Sequence, residues 1–255
     1  MSITLVHDTS RTDELSPRHT AQTIGLCHSA VAWAALAGTF VYAVGFVGGF
    51  PVPKNVNTGG GNWPATVAFI IDIELIGLFA LQHIAMTQSA FKKALHRLVS
   101  PVIANSLYLL CSCMALALLV AAWQPLPAVV WQASDPQIAS ALQSLSLFGW
   151  MTVLYAAFLT NYVELLRLKQ ASLRVVGWTA AATNEAPRLY RFVRHPLYLG
   201  FALAFWSAPT MTAGHFLLAS AATLYACFGI WREEREIAVR FAVSKSDGPA
   251  IFRSR

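Results

Sequence analysis

Charge is what this chain has least of. Asp, Glu, Lys and Arg make up only 12% of its 255 residues, against roughly a quarter in an average soluble domain, while 56% are hydrophobic and mean hydropathy is +0.53. That balance excludes an ordinary soluble enzyme and describes an integral membrane protein. Cysteine is scarce too. Cys27, Cys111, Cys113 and Cys227 fall in or beside apolar runs, with no CxxC and no His at ligand spacing, so no metal centre is expected from them. Apolar and polar residues do not alternate over stretches of about ten, which excludes a membrane β-barrel. Repeats and low-complexity linkers are absent, and a single domain is expected over residues 1–255. The run Gly59-Gly60-Gly61-Asn62 has no strand before it and no Lys-Ser/Thr after it, so it reads as a flexible connection instead of a phosphate loop.

What the chain does have is length of apolar sequence. Runs at 24–50, 66–86, 103–123 and 142–163 each reach the roughly 20 residues that cross a bilayer as helix. The run 197–231 is too long for one span and is broken at 208–214, where Pro209 removes a helix hydrogen bond and Gly214 relaxes the backbone. These features predict an all-α integral membrane protein, a bundle of about five transmembrane helices whose last apolar region folds as a helical hairpin. Residues 1–20 and 233–255 are expected as tails around a core at 24–232. Asp8, Arg11, Asp13, Glu14 and Arg18 precede a first apolar run longer than a signal-peptide core, so the first helix is expected to stay.

The net charge of +6 reports topology before partners. Alternating spans leave Lys54 alone on one side with the loop 124–140, which has no Lys or Arg; the other seventeen of the eighteen basic residues gather opposite. By the positive-inside rule both termini and segment 165–196 are cytoplasmic, in a multi-pass protein of a bacterial inner membrane. No nucleic-acid partner and no obligate protein partner is expected. Residues 165–194 mix Leu, Val and Trp178 with basic residues, as an interfacial amphipathic segment does.

Two polar clusters bracket the hairpin. Arg194-His195-Pro196-Leu197-Tyr198-Leu199-Gly200 opens it, and Trp231-Arg232-Glu233-Glu234-Arg235 closes it. Pro196 suits the first turn of a helix, whose free N–H groups, with Tyr190, Arg191 and Arg194 nearby, would accept a carboxylate. Gly200 would let a helix or a flat ring approach the backbone. Glu233 and Glu234 return to the same membrane face as the basic corner. Acceptors facing donors suit a zwitterion carrying a ribose or second cation. The same charges also suit a helix end whose long side chains snorkel to the interface, and the composition does not choose between the two.

The motif from Arg194 to Gly200, with Glu233-Glu234 beyond a helical hairpin, resembles the S-adenosylmethionine site of the isoprenylcysteine carboxyl methyltransferase and phospholipid methyltransferase superfamily. Within that group the chain is more similar to the bacterial methanethiol S-methyltransferases, which resemble the NnrU proteins. Gln82-His83, Trp123-Gln124-Pro125-Leu126-Pro127, Asn161-Tyr162-Val163-Glu164-Leu165 and the stretch from Phe205-Trp206 to Gly214-His215 carry that likeness, which runs from about residue 30 to 236. It implies S-adenosylmethionine as methyl donor, S-adenosylhomocysteine as product, and a small thiol, methanethiol, as acceptor, giving dimethyl sulfide. It implies that His195, Pro196, Tyr198, Leu199 and Gly200 wall the donor, that Arg194 and nearby backbone hold its carboxylate, with Tyr190 a further candidate from its place beside them, and that Glu233 or Glu234 holds its amino or ribose groups.

A thiol with a pKa above the roughly 8.5 of Cys is mostly protonated at neutral pH, so a base or thiolate-stabilising donor is expected. His83 and His215, each in or beside an apolar span, and Asn161 are the candidates; each also fits a packing or helix-end role. Asp72 lies three turns from His83 and does not reach it. Trp206 could face the sulfonium or simply pack. Competing readings are a lipid-like acceptor of the isoprenylcysteine type, an NADPH-dependent membrane reductase, and a haem carrier using paired His28, His83 or His215.

Overall fold

A computed structural model describes residues 10–99, 101–175 and 195–246, with side chains over 27–99, 103–159 and 195–239. Its helices are α1 (Ser10–Gly48), α2 (Ala65–Thr87), α3 (Ser89–Leu98), α4 (Pro101–Ala122), α5 (Pro136–Val175), α6 (Pro196–Trp206) and α7 (Ala213–Ser246). Among the described residues, five stretches are long and apolar enough to cross a membrane: Cys27–Gly48, Ala65–Thr87, Ile103–Ala122, Pro136–Leu159 and Ala213–Val239. At about 1.5 Å per residue their 20 to 27 residues reach roughly 30 Å or more, the thickness of a hydrocarbon core. α6, with 11 residues, is too short to span. Large apolar side chains such as Val41, Leu81, Met114, Phe158 and Leu224 point outward, as they do where lipid is the solvent. The protein is an all-α, multi-pass membrane protein.

Helix boundaries follow local chemistry. α1 ends where Gly49 adopts φ 71°, a left-handed turn residue that costs glycine little. α5 opens with Pro136 at its first position, and the Asp135 carboxylate accepts the Gln137 N–H at 2.7 Å. The Thr212 hydroxyl accepts the His215 N–H at 3.2 Å in the first turn of α7. Two helices outrun the expected tails: α1 already begins at Ser10, and α7 continues through Glu233 to Ser246.

Strands, which the apolar patterning did not predict, form one small ribbon among the described residues. β1 (Val129–Gln132) pairs antiparallel with β2 (Thr210–Thr212), the segment expected as a bare hairpin turn. Pro209 still ends the first arm, and its carbonyl accepts the Ala133 N–H at 2.9 Å.

The chain divides into two compact units. The first holds α1 through Phe46, then Pro51–Asn55 and Gly59–Gln124 with α2, α3 and α4. Its centre is Trp123, fully buried with the Phe46 ring edge-on at 6.1 Å. The second holds Val47–Phe50, Val56–Thr58 and everything from Pro125. Its centre is the α5–α6 contact, where the Ser146 hydroxyl donates to the Ala204 carbonyl at 2.8 Å.

Candidate functional site

The second unit brings the two polar clusters together. His195 ends the approach to α6 and Glu233 lies late on α7, and the hairpin sets His195 Nδ1 3.4 Å from Glu233 Oε2. That separation is within ion-pair reach and longer than a tight hydrogen bond. Among the described residues, His195 Nε2 is buried and without a hydrogen-bond partner. Glu233 is 53% exposed. The Tyr198 ring packs on His195 with centroids 5.9 Å apart.

Beyond the pair, a cavity of about 250 Å³ runs between α6 and α7. Its α6 wall is His195, Tyr198, Leu199, Phe201, Ala202 and Phe205; its α7 wall is Ala222, Thr223, Ala226, Cys227 and Ile230. The walls follow helical spacing, residues one turn apart sharing a face. The α7 half was not expected from the sequence, although Ala222, Ala226 and Ile230 four apart are its trace there.

The predicted site residues therefore divide. His195, Tyr198 and Leu199 line the cavity and Glu233 stands at its end. Pro196 and Gly200 are buried and not part of its wall; a Cβ on Gly200 would meet the Gly149 carbonyl oxygen and the Val153 nitrogen, each at 2.9 Å, so the glycine serves the approach of α5. Glu234 is exposed and holds an interaction of its own. Tyr190 and Arg194, with most of segment 165–194, lie outside the described residues.

The thiol-activating candidates are not among the residues that line this cavity. His215 is 2% exposed and its Nε2 meets the Phe205 carbonyl at 2.9 Å, at the end of α6 opposite His195. His83, in the first unit, has Nε2 3.0 Å from the Tyr108 hydroxyl and Nδ1 3.5 Å from the Ser112 hydroxyl, and stacks on Phe79 at 5.7 Å. Tyr108 and Ser112, one turn apart on α4, were missed because nothing in α2 announces which helix faces it. Asn161 lies on α5, its side chain outside the described residues. Asp72 is wholly buried and takes the Gln124 N–H at 2.8 Å, far from any role beside His83. Trp206 donates to the Thr223 hydroxyl at 2.9 Å and is edge-on to Phe216, so its ring is committed to packing. Gly61 of the glycine run donates to Gln124 Oε1 at 2.9 Å, tying a connection in place.

Lys54, the one basic residue expected apart from the rest, sits on the loop before α2. Its ammonium donates to the Ala121 carbonyl at 2.7 Å; burial pushes its pKa below the ordinary lysine value, and the Asp72 carboxylate pulls it partly back. Of the cysteines, Cys113 is buried and Cys27 and Cys227 are exposed, Cys227 along the α6–α7 cavity; all are free.

No family model matches the chain, and no solved structure matches it. Known proteins do. Methanethiol S-methyltransferase 1 of Bradyrhizobium diazoefficiens is 42% identical over 215 residues, covering 84% of this chain and 75% of that protein. Methanethiol S-methyltransferase of Mycobacterium tuberculosis is 39% identical over 216 residues, 83% of this chain and 87% of that protein. Nurim of Xenopus laevis is 33% identical over 168 residues, 61% of this chain and 57% of that protein. At that identity and coverage, this chain belongs to the methanethiol S-methyltransferase family.

Proposed function

We propose that the protein is an S-adenosylmethionine-dependent membrane methyltransferase that converts methanethiol to dimethyl sulfide. The observation that carries the reading is the His195–Glu233 pair at the end of an apolar cavity, in a chain of this family.

The donor fits these residues on three counts. His195 Nε2 is a buried polar atom without a partner among the described residues, a group that calls for an explanation. Glu233 offers a half-exposed carboxylate to an amino or ribose group. The cavity wall is aliphatic and aromatic, with Tyr198 and Thr223 as its hydroxyls. His195, Tyr198, Leu199, Glu233 and Glu234 would hold the donor, with Tyr190, Arg194 and the α6 N-terminus at its carboxylate and Pro196 and Gly200 setting the helix. Bound there, the donor supplies a methyl group on a positively charged sulfur.

The chain's own part is alignment and exclusion of water. When a thiolate meets a sulfonium two charges cancel, so an apolar wall disfavours the separated charges relative to the transition state. His215 and His83, the latter hydrogen-bonded to Tyr108, are the proposed groups for the thiol proton, and Asn161 is the proposed orienting group. The cavity, near the lower limit of the roughly 300–1,000 Å³ typical of drug-sized sites, suits an acceptor of a few atoms better than an isoprenyl chain. The one-sided basic residues support an inner-membrane protein with both termini and the donor site cytoplasmic.

Purified protein in detergent, given S-adenosylmethionine and methanethiol, is expected to release dimethyl sulfide into the headspace. Donor binding without dimethyl sulfide overturns the acceptor. Glu233→Ala is expected to weaken donor binding about tenfold or more, and unchanged affinity would remove Glu233 from the site.

A further inference from the structure

We infer that the part of the α6–α7 cavity beyond the donor-holding His195, Tyr198 and Leu199 is the acceptor subsite, a pocket for a short apolar thiol whose size limit is set by Ala222 and Ala226 against Phe201 and Phe205. The inference rests on the methyltransferase reading above and adds to it the place and shape of acceptor recognition.

The argument starts from what makes the space. α6 lines the space with Phe201 and Phe205, one turn apart and also packed on Trp150 of α5 at 6.2 and 5.7 Å, and α7 lines it with Ala222 and Ala226, also one turn apart. Large side chains facing small ones would close a gap if the helices met, yet about 250 Å³ stays open. Neither arm is free to close it. The N–H of Trp206 is bonded to Thr223, His195 faces Glu233 at the other end, and α6 is held on its far side by α5 through Gly149 and Gly200. The space is therefore framed at both ends and backed by a rigid contact.

Its chemistry selects the occupant. The lining is aliphatic and aromatic apart from His195 at one end, and its remaining heteroatoms are the Tyr198 and Thr223 hydroxyls and the Cys227 thiol. Thr223 already accepts from Trp206 and donates to the Ala219 carbonyl at 2.8 Å, which leaves it one lone pair. Such a wall offers a charged or strongly hydrated acceptor almost nothing, and would exact the full desolvation cost of one. A small apolar thiol loses little by entering. The volume exceeds what methanethiol needs, so bulk at position 222 or 226 subtracts directly from the acceptor's share.

The test uses the full-length protein in detergent. Ala226→Leu is expected to raise the KM for methanethiol about tenfold or more while the Kd for S-adenosylhomocysteine, read by calorimetry, stays within about threefold. Phe205→Ala is expected to enlarge the pocket and raise the relative rate on propanethiol over methanethiol by about tenfold. A protection arm needs no turnover: with Cys27, Cys111 and Cys113 replaced by Ala, saturating dimethyl sulfide is expected to slow N-ethylmaleimide modification of Cys227 at least about threefold by mass spectrometry. An unchanged chain-length profile in both variants, or unprotected Cys227, overturns the assignment. Because the protection arm reads the pocket without product, a wild type that binds donor but methylates no thiol would sink the proposed function separately.

Discussion

Gly149 on α5 and Gly200 on α6 meet backbone to backbone: a Cβ on Gly149 would lie 2.5 Å from the Ala204 nitrogen and 2.7 Å from the Gly200 carbonyl oxygen. Small residues let membrane helices approach this closely, because packing and hydrogen bonds, not hydrophobic burial, hold helices together in lipid. Two effects oppose each other on substitution by Ala. Helix propensity gains up to about 1 kcal/mol, while overpacking costs about 1 to 3 kcal/mol. Here the obstructing atoms are backbone on both sides and cannot swing aside, so overpacking wins. Gly149→Ala and Gly200→Ala are each expected to lower the thermal unfolding midpoint in detergent; a midpoint at or above that of the wild type would show that the two helices separate without cost.

Gly229 plays a different part, because its neighbour is the tip of a side chain. A Cβ there would lie 2.7 Å from the Tyr198 hydroxyl, which the phenol escapes by rotating. Gly229→Ala is therefore expected to fold with nearly normal stability but to tilt Tyr198 off α7, weakening donor affinity about tenfold. Tyr198→Phe removes the obstructing oxygen, so the double variant should bind donor better than Gly229→Ala alone. Additive losses in the double-mutant cycle would mean that the two residues act independently.

Lys54 carries a pH dependence. Its folded pKa lies below the ordinary 10.5, first through burial and with the Asp72 charge opposing. The unfolded chain then holds this proton to higher pH than the folded chain does. Between the folded value and 10.5 the unfolded state binds more protons, and this group's contribution to stability rises with pH. Lys54→Met should flatten that rise in thermal unfolding measured from neutral pH toward 10.5, and an identical pH slope in both proteins would remove Lys54 as its source.

How much of this was legible follows from the range of the forces involved. The spanning helices were readable because some twenty apolar residues in a row have few other solutions in lipid. The meeting of His195 and Glu233 was readable because a hairpin fixes both ends by chain geometry alone. The β1–β2 ribbon was not: Val129–Gln132 is four residues long, and its partner lies about eighty residues away with an irregular register. Tyr108 and Ser112 escaped notice for a related reason, since the choice of helix that faces His83 depends on packing across α2 and α4. Gly200 was readable as a place of close approach, but whether a ring or a helix would arrive depended on Gly149, fifty residues earlier. Trp206 was read in two ways because its N–H partner, Thr223, lies on the returning arm.

That last bond can be tested directly. Trp206 Nε1 donates to the Thr223 hydroxyl at 2.9 Å, and that hydroxyl donates in turn to the Ala219 carbonyl at 2.8 Å. Thr223→Val keeps the side-chain shape and removes the acceptor, leaving an indole N–H without a partner at a cost of about 1 to 3 kcal/mol. Thr223→Ser keeps the oxygen and loses only a methyl group. The Val variant is expected to unfold at lower temperature than the Ser variant and to shift tryptophan emission. If Ser is as damaging as Val, the methyl group and not the hydrogen bond holds the end of α6 against α7.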